Sequence, residues 1–390
     1  MLGPLLRALM FMPFELGTYR QLWRLALAER RSGAMSRRRR RVVFPVLLAL
    51  PILAFFNAVF FALDNLLFPG IHRVKVRRPV FIIGHARSGT SLMHRLMTCD
   101  ERSFVYFRMY EMFLPALTQK YIVRAGAWLD RRLFGSRGAR ALRAWEDRTF
   151  AKGRQMHPMS LAGPEEDEFL LALSCASGVW ETLFPYPKEL EGLYYFDELP
   201  VRRRHRILGF YRACLKRQLW LYGRERVHCS KNPVFTGKVA SLIEAFPDAR
   251  FILMSRDPAA TIPSLLKMME RNWLASDCDR SQIRRALVQL AEQSYHSYSY
   301  PPEVFARHPG VEQVTVDYEQ LVAQPRATVE RTYQALGMAV SEEFAAVLDS
   351  EEARSRQHRA EHLYTPGEFE LSADEIRRRC GISSSPVEKK

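Results

Sequence analysis

Arg87, Ser88, Gly89, Thr90 and Ser91 stand in line just after an apolar run, Pro79-Val80-Phe81-Ile82-Ile83, and Gly84 opens the turn between them. A cation, three hydroxyls and two glycines at the junction of a buried strand and a helix make an anion site. Loop N–H groups and the helix N-terminus converge on one point, and glycine at 84 and 89 lets the backbone approach it closely. A tight turn with no ligand is the plainer alternative, but it leaves the coincidence of cation, hydroxyls and glycines unexplained. A second junction lies downstream at Phe251-Ile252-Leu253-Met254-Ser255-Arg256, with Ser264 in the helical stretch beyond it. An arginine at a strand end binds an anion rather than a metal. Lys231, in Ser230-Lys231-Asn232-Pro233, ends another apolar run and is a further candidate phosphate contact; the ordinary alternative is a solvated lysine.

The spacing Gly84-x4-Gly89 followed by Thr90-Ser91 matches a Walker A loop, except that Thr90 replaces the lysine that reaches the phosphates. The cation sits inside the loop instead, at Arg87. The second strand ends in Ser255-Arg256, where a Walker NTPase carries its Mg²⁺-holding aspartate. In both respects the sequence resembles the sulfotransferases that use 3′-phosphoadenosine 5′-phosphosulfate (PAPS), including their tyrosylprotein and bacterial-type, membrane-associated branches. Their phosphosulfate loop has a basic residue followed by Ser-Gly-Thr-Thr. The resemblance implies that Arg87 contacts the 5′-phosphate and bridging oxygen, that Ser88 to Ser91 supply backbone and hydroxyl donors, and that Arg256 and Ser264 bind the 3′-phosphate. It extends loosely from Pro79 to Arg378, where Val316-Asp317-Tyr318-Glu319 and Leu336-Gly337 are similar to the family's closing segment.

Sulfuryl transfer needs an acceptor hydroxyl in line with sulfur and leaving phosphate, a base for the acceptor proton, and cations on the leaving group. The sulfuryl group carries less charge than a phosphoryl group, so protein cations suffice and no metal is expected. Arg87 is the leading catalytic cation. Glu111 is the leading base, because the resemblance to the tyrosylprotein branch puts a catalytic glutamate in a similar place. His94, one turn into the loop helix, is a second candidate that could also face the core. Glu165-Glu166-Asp167-Glu168 after Gly163-Pro164 read as a carboxylate-rich helix start, or as the source of a base at Glu166 with His157 nearby. The competing functions are a Mg-ATP-dependent P-loop kinase and a non-catalytic, membrane-anchored nucleotide-binding protein.

These residues need a scaffold. Apolar runs at Val80–Ile83, Arg226–Ser230, Phe251–Ser255 and Val311–Val316, with a weaker one at Ser103–Phe107, alternate with amphipathic stretches. That pattern predicts an α/β class fold, a P-loop-like three-layer domain around a mainly parallel central sheet. The stretch from Glu111 to Leu221 reads as mostly helical and is too long for a simple crossover. It is expected to form a large helical insertion over the site that shapes the acceptor pocket.

From Val42 to Leu63 there are 22 uncharged residues, enough to cross a bilayer core. Arg37 to Arg41 precede them, and Arg73, Lys75, Arg77 and Arg78 follow. The run is too long and too far in for a signal peptide. It predicts a hydrophobic membrane anchor, single-pass or monotopic, with a buried helical hairpin as the alternative. The expected division is a basic segment (1–41), the anchor (42–68), a sulfotransferase domain (71–382) and a disordered tail (383–390). The net charge of +16 is scattered rather than interleaved with stacking aromatics, which disfavours nucleic acid as a partner. Six cysteines without CxxC or metal spacing read as free thiols in a reducing compartment. The expected partners are PAPS, the lipid bilayer and a hydroxyl-bearing acceptor of lipid, sterol-like or glycan type.

Overall fold

The computed structural model describes residues 13–150, 160–356 and 372–382, so His157 and the expected tail at 383–390 lie outside the described residues. Five strands, β1 (Val80–Gly84), β2 (Phe104–Val105), β3 (Val227–Lys231), β4 (Arg250–Ser255) and β5 (Glu312–Asp317), form one sheet in the order β2-β3-β1-β4-β5. Every pairing is parallel. Four of the expected strands are present to within a residue at each end. The fifth shrinks to Phe104–Val105 because the chain leaves the sheet at Arg108, whose N–H is capped by the Glu111 carboxylate at 2.9 Å to start the helix Met109–Phe113.

Side chains along a strand alternate between faces, and here both faces are covered. Phe81, Ile83 and Phe251 enter a core with Phe61, Tyr211, Leu242 and Phe305. Val80, Ile82, Ile252 and Met254 enter the opposite core with Met93, Leu96, Val329 and Tyr333. β1 is therefore buried along its whole length, and the helices form the outer two of three layers. The expected helical insertion includes the helices Leu117–Phe134, Arg137–Phe150 and Val201–Tyr222. Between Ser160 and Pro200, however, the chain runs as turns and single helical turns. Pro164, Pro185 and Pro187 remove backbone donors there and stop longer helices from forming.

The apolar N-terminal run belongs to a 31-residue helix, Arg37–Leu67, long and apolar enough to cross a membrane by length and composition. Ser36 caps it, its hydroxyl accepting from the Arg39 N–H, so the five arginines form its first turns. One side is buried through Val43, Leu47, Ala54, Ala58 and Phe61. The preceding helix, Leu16–Arg31, packs along it, with the Tyr19 hydroxyl donating to the Leu47 carbonyl at 3.1 Å. Three polar ties fasten the long helix to the rest of the fold. Arg39 pairs with Glu29 at 2.7 Å, Asn57 accepts from the Gln119 amide at 2.7 Å, and Asp64 accepts from the Arg217 guanidinium at 2.7 Å.

Asp64 and Arg217 are both buried. Removing one partner strands a charge in the interior, which costs about 3–5 kcal/mol. Asp64→Ala is expected to lower stability by that amount in a urea titration of the full chain. The double change Asp64→Leu with Arg217→Met should recover only the part due to the stranded charge, because the Leu117 and Thr118 N–H groups also lose the Asp64 carboxylate as acceptor.

Candidate functional site

The C-terminal ends of β3, β1 and β4 lie side by side, because parallel strands in register end on the same edge of the sheet. Each delivers one of the expected cations there. The loop after β1 needs glycine at two points. Gly84 has φ +142°, and a Cβ there would meet the Met254 carbonyl at 2.6 Å. Gly89 has φ +93°, and a Cβ there would run into the Tyr318 ring. Arg87 itself adopts φ +74°, a left-handed conformation costly for a non-glycine residue. The Ser88 N–H donates to the His85 carbonyl at 3.1 Å and closes the turn, while the buried Ser88 hydroxyl has no hydrogen-bond partner among the described residues. Thr90 and Ser91 begin the loop helix, Thr90–Met97.

The second loop docks onto the first. Arg87 Nε donates to Ser264 Oγ at 3.2 Å, and Arg256 Nη1 donates to the Arg87 carbonyl at 3.1 Å. The Arg256 guanidinium lies over the Tyr318 ring, 4.0 Å from its centroid, and its buried Nε has no hydrogen-bond partner among the described residues. Lys231 is not a solvated strand-end lysine. It is buried, and its Nζ lies 3.3 Å from Ser91 Oγ and 2.7 Å from Glu166 Oε1. Gly84, Arg87 to Ser91, Lys231, Arg256 and Ser264 thus form one connected cluster. Unsatisfied donors at Ser88 and Arg256 and a cradle that Cβ atoms would fill suit an anionic, phosphate-bearing ligand.

The candidate bases separate. Glu111 is buried and accepts from the Tyr222 hydroxyl at 2.6 Å, the Gln218 amide at 2.8 Å and the Arg108 N–H. Burial alone raises its pKa, but nearby Lys120 and these donors outweigh that and hold it below the usual carboxylate value. His94 is buried, and desolvation together with neighbouring Lys231 brings its pKa down to about 3, so it stays neutral. The acidic run is a buried clamp rather than a simple helix start. Asp167 binds the Tyr211 hydroxyl at 2.5 Å and His228 at 2.9 Å, while Glu168 binds Lys238 at 2.7 Å, Asn232 at 2.9 Å and the Gly178 N–H at 2.7 Å. The helix that follows is five residues long, and its carboxylates are directed to β3 and the turn beyond it. Glu166 differs, because it reaches both Lys231 and a pocket.

That pocket, about 210 Å³ in volume, is walled by apolar side chains such as Val179, Met268 and Leu290, and has His85 and Glu166 in its lining. Glu111 and His94 are not part of its lining. Sequence reasoning missed three features here. His85, between the two quoted glycines, is buried, stacks on Tyr298 at 5.2 Å and is held neutral by burial, which brings its pKa down to about 4. Tyr298 donates to the Arg256 carbonyl at 3.0 Å. Glu181 is buried in the pocket wall beside the Gln293 amide at 3.2 Å, and desolvation pushes its pKa up to about 8. A lone acid in the apolar stretch Val179-Trp180-Glu181-Thr182-Leu183 was the available signal.

At one edge of a parallel sheet, the loops after β1 and β4 thus interlock. A profile of the sulfotransferase family matches residues 79–342, and the chain belongs to that family. It is 24% identical over 314 residues to the omega-hydroxy-beta-dihydromenaquinone-9 sulfotransferase Stf3 of Mycobacterium bovis and of Mycobacterium tuberculosis, covering 76% of this chain and 71% of the relative in each case. Its fold is similar to the crystal structure of sulfotransferase STF9 from Mycobacterium avium, with TM-score 0.66 and 16% identity over 94% of this chain and 95% of that one. STF1 from Mycobacterium tuberculosis gives TM-score 0.59 and 18% identity over 93% and 91%.

Glu181 makes a pH prediction. Its folded pKa lies above the ordinary 4.5. Between pH 4.5 and 8 the folded state keeps a proton that the unfolded state has lost, so this residue's contribution to stability falls as pH rises. Glu181→Gln, neutral at every pH, is expected to be more stable than the parent at pH 8, by ~2–4 kcal/mol. The difference should shrink towards pH 5 in thermal melts.

Proposed function

We propose that this sulfotransferase takes its sulfuryl group from PAPS and transfers it to the hydroxyl of an apolar, lipid-like acceptor held in the pocket beside Glu166. The observation that carries the reading is the interlock of the two loops through Arg87, which brings two arginines and a helix N-terminus together at one edge of the sheet. When bound, PAPS supplies the sulfuryl group and a phosphate leaving group. Arg87 and the donors of Ser88 to Ser91 offset charge on that phosphate as the sulfur–oxygen bond breaks. Arg256 and Ser264 hold the 3′-phosphate. Thr90 in place of a Walker lysine and Arg256 in place of a metal-binding aspartate support this over the kinase reading.

Glu166 is the better base on geometry. The Lys231 ammonium, 2.7 Å away, orients its carboxylate at the pocket wall, where it can take the acceptor's proton as the new oxygen–sulfur bond forms. Glu111 spends its acceptor capacity on Tyr222, Gln218 and Arg108, and we assign it to holding that segment. The lipid-like acceptor rests on the apolar lining and on the relatives named for a menaquinone derivative. The long apolar helix supports membrane association.

The donor is tested by thermal shift with adenosine 3′,5′-bisphosphate (PAP) against Mg-ATP. At about 100 times its dissociation constant, PAP should stabilise the chain by roughly 2.7 kcal/mol, and Arg256→Ala should abolish the shift. A shift with Mg-ATP alone would restore the kinase. The base is tested in single turnovers with radiolabelled PAPS and a membrane lipid extract. Glu166→Gln is expected to slow transfer about 100-fold or more with the PAP shift intact. Glu111→Gln should instead lower the melting temperature, and a larger rate loss there than at Glu166 would reverse the assignment.

A further inference from the structure

The long N-terminal helix has two unlike sides. Its buried side carries Arg39, Asn57 and Asp64, each tied to the fold, and crossing a bilayer would require breaking these ties and exposing Asn57, which lies inside the apolar run, to hydrocarbon. Its other side leaves Leu48, Ile52, Phe55 and Leu66 more than half exposed. The helix is docked along the protein with an apolar face left over.

A second apolar exposure begins where that helix ends. The helices Leu117–Phe134 and Arg137–Phe150 form a hairpin whose turn is pinned by the Asp130 carboxylate, which accepts from the Gly138 and Ala139 N–H groups at 2.9 Å each. Only the first turn of the leading helix is buried, at Leu117, Gln119 and Lys120. Beyond it Ile122, Trp128, Leu133 and Phe134 are more than half exposed, and Trp145 of the second helix is nearly so. Asp64 roots both exposures at one point, since its carboxylate accepts from the Leu117 and Thr118 N–H groups at 2.7 Å, and Phe68 packs on Tyr121.

Charge selects the partner. Residues 117–150 carry eight Lys or Arg against three Asp or Glu, and the apolar helix opens with five arginines. Tryptophan and phenylalanine interspersed with arginine suit the headgroup boundary of an anionic bilayer, where ring and cation each find their preferred medium. A second copy of the same surface would bring like charges together. We propose that the hairpin 117–150 and the free side of helix Arg37–Leu67 seat the protein on one leaflet of an anionic membrane without crossing it. This rests on the reading of the chain as membrane-associated and is independent of the donor assignment.

The test is flotation of the full chain with phosphatidylcholine vesicles, with and without about 30% phosphatidylglycerol. Binding is expected to the anionic vesicles and to weaken in high salt. Trp128→Glu with Leu133→Glu, both at exposed positions, should reduce it about tenfold or more, with the PAP thermal shift unchanged as proof of folding. Tags at the two termini should be equally open to protease on sealed vesicles. Flotation equal to the parent in the double variant, tags on opposite sides, or a vesicle-free dimer that the variant dissolves would each overturn the proposal. Loss of the PAP shift in the parent would instead count against the donor reading.

Discussion

Arg87 ties together the two loops at the C-terminal edge of the sheet. Its backbone is in a left-handed conformation, its side chain reaches the helix after β4 at Ser264, and its carbonyl receives Arg256. Neither contact neutralises charge, so two guanidiniums and a helix N-terminus stay close with little anionic compensation inside the loops. The Glu319 carboxylate lies 3.7 Å from Arg256 Nε and is largely solvent-exposed. The parallel sheet keeps this cluster of positive charge assembled by ending three neighbouring strands on one edge.

On the far side of the loop the balance reverses. Glu166, Asp167 and Glu168 bind Lys231, His228 and Lys238, so β3 and the turn beyond it are held by carboxylates from a segment with little regular structure. Buried pairs of this kind contribute geometry more than net stability. They let an irregular stretch rich in proline and glycine form a fixed pocket wall, with one member, Glu166, left half in the pocket.

The strands were legible because apolar runs bounded by polar turns report burial directly, and the turn after β1 because glycine marks the close approach and positive φ found there. Less legible were features that depend on which distant segment arrives opposite. Lys231 looks like a surface lysine until Glu166 is brought beside it from 65 positions away. Glu111 has the composition of a base, but Tyr222 and Gln218, more than a hundred positions later, occupy its oxygens. Glu181 gave only the weak signal of a single acid among apolar neighbours. The apolar run predicted an anchor, and its length is that of a span, yet the polar residues Asn57 and Asp64 matter only once Gln119 and Arg217 are seen to meet them.

The Asp64–Arg217 pair also bears on how the chain is made. The two residues are separated by 153 positions. While a ribosome works through that interval, the long apolar helix has already been made, and its Asp64 carboxylate can meet the Leu117 and Thr118 N–H groups before it meets a guanidinium. Its docking is therefore completed only with the synthesis of the helix Val201–Tyr222, so the two ends of that buried charge pair are made far apart in time.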